Sequence, residues 1–169
     1  ESGSGVAIAS MSARRVRSTP IAIRRAVANR PYRPALQAPV NTWQQRERAQ
    51  AILAKETGYV RKPHADRVRV ALAFPNTYWV GMSNLGFQTV YRLFNQRDDV
   101  VCERVFLPPK QALQDLVARG SRLVTLESQT RLADFDVIAF SVSFEWDYTN
   151  VLTMLKLAGL PVYAAQRTR

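Results

Sequence analysis

RVRVALAF, residues 67–74, is the stretch on which the reading of the fold turns. It opens by alternating Arg with Val and ends as a continuous apolar run. A strand reads this way when it passes from a rim into a sheet covered on both faces, as parallel sheets are. Pro75-Asn76 stops it. Downstream, NLGFQTVYRLFNQ (84–96) places Phe87, Val90, Tyr91 and Phe94 on one face of a predicted helix. VVCERVFLP (100–108) is a second, β-branched strand ended by Pro108-Pro109. Residues 109–120 read as a short helix, with Pro109 near its start and Gly120 beyond its end. LVTLES (123–128) is a short strand or an extended arm. DFDVIAFSVS (134–143) is an apolar third core strand preceded by Asp134 and Asp136 as turn residues. YTNVLTMLKLAG (148–159) is a helix stopped at Gly159, and PVYAA (161–165) begins another strand. Strands and helices alternating across short connections predict an α/β domain, an open parallel sheet built from right-handed crossovers.

Upstream of this domain the physics changes. Residues 1–62 carry twelve Lys/Arg against Glu1, Glu47 and Glu56, whereas residues 63–169 are nearly neutral, with twelve Lys/Arg against ten acids. The overall charge of +11 therefore says little about what the folded part binds. From Met11 to Val40 there are seven arginines, no acid, and helix-breaking Pro20, Pro31, Pro34 and Pro39. The sequence thus predicts a basic, mostly disordered arm over 1–41, with a composition shared by nucleic-acid-binding arms and organelle transit peptides. Tyr32 is the arm's one aromatic, which argues against a base-stacking platform. Residues 42–65 form a helical connector, with a helix over about 43–56 capped by Thr42 and ended at Gly58. Trp43, Ala51, Ile52 and Leu53 give that helix its apolar surface. The α/β domain occupies 66–169.

Composition also bounds the chemistry. The single cysteine, Cys102, leaves no internal disulfide and too few thiolates for a zinc or iron–sulfur site of this chain's own. It reads as a buried strand thiol. No apolar run approaches the ~18–20 residues of a membrane span, and a cytoplasmic location is expected.

In open parallel sheets ligands bind beyond the carboxyl ends of the strands. Two loops are selected by that rule. In PNTYWVGMSN (75–84), Asn76, Thr77 and Tyr78 offer hydrogen-bonding groups, Gly81 permits close approach, and Ser83 or Asn84 caps the next helix. In SVSFEWDYTN (141–150), Ser141 and Ser143 are followed by Glu145, Asp147 and Thr149, with Asp147 or Thr149 as cap. Aromatic planes (Tyr78, Trp79, Trp146) among short polar groups suit a flat ligand rich in amides and carrying a phosphate. Glu145 and Asp147 are the one acidic pair in these loops, read as capping and solvated groups rather than an acid–base pair. His64 precedes the first strand, at the opposite end of the sheet, and reads as a surface residue.

Residues 67–95, 100–108 and 126–162, with the strings PNTY-x-VGMSNLG and FE-x-x-YTNVL, resemble the amino-terminal region of cobalamin-binding-domain radical-SAM proteins. The resemblance implies a flavodoxin-like or Rossmann-like cobalamin-binding domain, present here in part. It also implies a radical-SAM barrel in cis, with its [4Fe–4S] cluster and S-adenosylmethionine, beyond the residues given. No catalytic residue and no metal ligand carries over. The family's Asp-x-His-x-x-Gly loop is here Asn76-Thr77-Tyr78-Trp79-Val80-Gly81, without the cobalt histidine. The family's Ser-x-Leu is here Ser141-Val142-Ser143, which makes Ser141 the residue expected against a cobalamin nucleotide tail. The expected function is thus a cobalamin-type cofactor module of a radical-SAM protein, not catalytic alone. Its competitors are a cofactor-free α/β interaction module and a protein associated with nucleic acid through the basic arm.

Overall fold

The computed structural model describes residues 43–167; the basic arm and the Thr42 cap lie outside them. Helix α1 (Trp43–Leu53) leads through an extended strap to β1 (Val68–Phe74), the centre of a three-stranded parallel sheet. A one-turn helix α2 (Tyr78–Met82) and helix α3 (Leu85–Asn95) cross to β2 (Val100–Phe106). Helix α4 (Lys110–Ala118), an extended arm and a 3-10 turn (Leu132–Asp134) lead to β3 (Val137–Phe140), and α5 (Asp147–Ala158) follows. The spatial order is β2-β1-β3, with Val70 opposite both Cys102 and Val137.

The unbroken apolar run of β1 reflects its two covered faces. Ala71 and Ala73 join Val105, Leu116, Leu132 and Met154 on one side. Val70, Leu72 and Phe74 meet Phe87, Tyr91 and Cys102 on the other, under α3. The expected face of α3 is the one that packs, with Val90 and Phe94 flanking the buried Phe87 and Tyr91. Gly159, at φ +74°, adopts the left-handed conformation that ends α5.

Several expectations change. The strand expected over 161–165 is instead coil and a 3-10 turn (Ala164–Gln166). Arg167 occupies its acceptors, Nε donating to Pro161 O at 2.9 Å and Nη2 to Val162 O at 2.8 Å. The stretch 123–128 is the extended arm, making one isolated antiparallel bridge, Val124 to Arg131. β3 is an edge strand among the described residues, half-buried rather than a central core strand. In α1 the expected Leu53 and Ile52 do pack, with Ala49, on Leu126 of the arm, whereas Ala51 is exposed and Trp43 is 72% exposed. Asp136 does more than turn the chain. Its carboxylate receives Arg69 N, Nε and Nη2 at 3.0–3.1 Å, pinning the start of β3 to β1. His64 is half-buried rather than on the surface, with Nε2 2.6 Å from Glu103 Oε1. The strap it sits on is held down by Arg61 on Glu127 O and by Lys62 Nζ on the carbonyls of Asn95, Arg97 and Val100.

Candidate functional site: the carboxyl-end rim

β1 and β3 are neighbours and run the same way, so the loops that follow them emerge side by side. A hydrogen bond closes the pair, from Asn84 Nδ2 to Ser143 Oγ at 3.1 Å. The same Asn84 caps α3, its Oδ1 accepting from Phe87 N at 2.9 Å. One amide thus sets both the helix start and the distance between the loops.

The first loop is more ordered than its sequence suggests, because α2 folds back onto the sheet end. Asn76 O receives Leu107 N at 3.0 Å, and Asn76 Oδ1 receives Thr77 N at 2.8 Å. Gly81 lies on Phe74 and Phe106, where an added Cβ would come within 2.5 Å of the Phe106 ring. Its lack of a side chain therefore serves packing of α2 on the sheet. Ser83 Oγ donates to Trp79 O at 2.8 Å. Tyr78 turns away from the rim, its hydroxyl donating to Glu56 Oε1 at 2.5 Å and its ring edge-on to Phe106. Burial and the Glu56 carboxylate push the Tyr78 phenol up to about 12.

In the second loop Ser141 is buried, and its N–H extends the ladder to Ala73 O at 2.9 Å. Asp147, 1% exposed, accepts from Ser143 N at 3.3 Å and Phe144 N at 3.2 Å, so its carboxylate shapes the loop. Thr149 Oγ1 donates to Trp146 O at 2.8 Å. Glu145 is exposed and Asp147 is buried, so the two acids share no environment that would set up acid–base work. Trp79, Phe144, Trp146 and Tyr148 stand exposed around the two loops. Of the ten residues selected from sequence, Asn84 and Ser143 touch one another. Asn76, Thr77, Ser83 and Thr149 bond within their own loops, Gly81 packs, Tyr78 faces the connector, and Ser141 and Glu145 are placed on the rim's inner and outer sides by burial. The rim offers aromatic planes and small polar groups, and no group of three or more His, Cys, Asp or Glu able to hold a metal occurs among the described residues.

Sequence reasoning missed a second polar region beneath α2. Arg104, 2% exposed, donates through Nε to Glu127 Oε1 at 2.6 Å and through Nη1 and Nη2 to Glu56 at 2.9 and 2.6 Å, and its guanidinium covers the Tyr91 ring. Burial alone would lower the Arg104 pKa; the Glu56 and Glu127 carboxylates outweigh it and raise the value. Glu127, fully buried, is pushed up to about 7 by burial despite the pull of Arg104. On the opposite face Glu103 accepts from Thr125 Oγ1 at 2.5 Å and Ser128 Oγ at 2.6 Å and pairs with His64. Burial opposes its ionisation, and the combined hydrogen bonds win and lower its pKa. The signal was available: Glu-Arg in the middle of VVCERVF puts two charges into a strand that is otherwise apolar, a pattern that requires buried partners. Cys102 is fully buried, with its thiol pushed up by burial.

Residues 86–169 match the family model described as radical SAM proteins, N-terminal. The match links this chain to radical-SAM proteins. The radical-SAM match opens at Gly86, within α3, so β2, β3, α5 and the second rim loop lie inside it, and β1 with the first loop lies outside. No curated protein and no solved structure matches the chain. No helix among the described residues is long and apolar enough to cross a membrane.

Proposed function

We propose that this chain is an amino-terminal ligand-binding module of a radical-SAM protein, working beside a catalytic barrel in cis in the cytoplasm, and that its site is the carboxyl-end rim. The Asn84–Ser143 hydrogen bond carries the reading, because it joins two loops 59 residues apart in sequence at the sheet end where such folds bind ligands. The ligand we favour is a cobalamin-type cofactor. The residues fit it in part. Ser141 and Ser143 lie against the strand ends, and exposed Trp79 and Trp146 offer flat surfaces. No residue fits as a cobalt ligand: Asn76–Gly81 contains no histidine, and His64 is committed to Glu103. The module's share of the work is therefore to hold and orient a ligand by hydroxyl, amide and aromatic contacts. The cluster and S-adenosylmethionine belong to the barrel.

One observation favours a second reading, an interaction module without cofactor. Most polar groups of the rim already bond within their own loops, while Trp79, Phe144, Trp146 and Tyr148 are left exposed, as at protein interfaces. Titration with hydroxocobalamin, followed by its visible spectrum and by retention on desalting, separates the two. The cofactor reading expects saturable one-to-one binding that weakens roughly tenfold when Ser141 and Ser143 are both changed to Ala. Neither spectral change nor retention sinks it and leaves the interaction module.

A further inference from the structure

A cleft between α1 and α4 adjoins the first rim loop, whose Thr77, Tyr78 and Trp79 help line it. Its volume is about 400 Å³, the size of a small-molecule site. Ala49 and Ile52 of α1, Ala112 and Leu116 of α4, and Leu123 and Leu126 of the arm line it. Two buried side-chain polar atoms among the described residues have no hydrogen-bond partner, Gln45 Oε1 and Ser121 Oγ. Both residues line this cleft. Folded proteins seldom leave such atoms orphaned, because the hydration they lose is not replaced. Arg48, Arg119 and Asp115 line it too, and none has an ion pair among the described residues. Two guanidiniums against one carboxylate leave the cleft cationic.

We propose that this cleft binds a small amphipathic acid with the chemistry of an N-acylated amino acid: an apolar chain, an amide N–H and a carboxylate. The chain displaces water from the apolar walls, where the hydrophobic gain is non-directional. The amide N–H answers Gln45 Oε1 or Ser121 Oγ after a small side-chain rotation. The carboxylate takes Arg48 and Arg119, whose planar forks match it. The cleft shares Thr77, Tyr78 and Trp79 with the first rim loop, while Asn84, Ser141, Ser143 and Trp146 lie outside its lining.

N-octanoylglycine and its methyl ester, titrated calorimetrically into the full chain, test this. The acid binds one to one, and the uncharged ester binds roughly tenfold more weakly. Arg48 and Arg119 are both exposed, so the double variant Arg48→Gln, Arg119→Gln keeps the fold and brings the acid to the ester's level. Ala51→Trp, at an exposed position of the lining, blocks both ligands while leaving the thermal melt unchanged. Equal binding of acid and ester, undiminished acid binding in the double variant, normal binding in Ala51→Trp, or no saturable heat in the millimolar range overturns the proposal.

Discussion

The two edges of the sheet are built on opposite principles. Along β2 the outward backbone groups are answered one by one. Asn95 accepts from Cys102 N and donates to Cys102 O at 3.1 and 2.9 Å. Glu127 accepts from Arg104 N at 2.8 Å, Leu126 N reaches Arg104 O at 2.7 Å, and Lys62 Nζ meets Val100 O at 3.2 Å. Along β3, among the described residues, hydrogen bonds run to β1 alone, and Val137 is 46% exposed. Side chains that cap an edge finish it, whereas a bare edge leaves a sheet open to further pairing. β2 is thus the closed side of the domain, and β3 is the open side among the described residues. The closed edge is also where the burial of charge is concentrated, so the two edges differ in how much a single substitution removes.

The largest effect is expected from Arg104→Leu. It strands Glu127, fully buried, and Glu56 without their cation, and breaking a buried pair on one side costs about 3–5 kcal/mol. An unfolding free energy from urea titration that changes by less than ~1 kcal/mol would break the claim that Arg104 is what answers these two carboxyl groups. Asn95→Leu follows, leaving Cys102 N–H and C=O unpaired at about 1–3 kcal/mol for each group. Hydrogen exchange at the Cys102 amide checks that the loss is local to the edge. The third is a pH effect. Glu127 has a folded value of about 7 against an ordinary 4.5, so the folded state keeps a proton that the unfolded state releases. Stability from this group is present at and below about pH 4.5 and is lost as pH rises through about 7. The Tm should fall by several degrees across that window and flatten in Glu127→Gln; an identical slope in the variant contradicts it. The smallest effect belongs to the open edge. Val137→Lys should stay within about 0.5 kcal/mol of the parent, and any concentration-dependent association seen by sedimentation should diminish.

The legibility of the sequence follows the same division. β1, α3 and α5 announce themselves because apolar spacing and punctuation act locally: Pro75, the Asn84 cap and Gly159 each mark an end within a few residues. The junction of the rim was accessible through topology, since parallel neighbours must deliver their loops to one end. What Tyr78, Gly81 and Asp147 do was not accessible. Each answers a group distant in the fold or across its own loop, namely Glu56, the Phe106 ring and the Ser143–Phe144 amides. A strand was expected at 161–165 because propensity favours it, but a strand exists only where another offers its edge, and there Arg167 takes the carbonyls instead. His64 was misjudged for a related reason: its partner Glu103 is 39 residues away and on a different element.

The most direct test of the rim as the ligand site is a map of amide and indole chemical shifts on adding hydroxocobalamin to the isotopically labelled chain. The account predicts saturable shifts at Asn84, Ser141, Ser143 and Trp146, with Trp43 and the Ala49–Leu126 contact unmoved. Shifts confined to the α1–α4 cleft, or none that saturate, would contradict it.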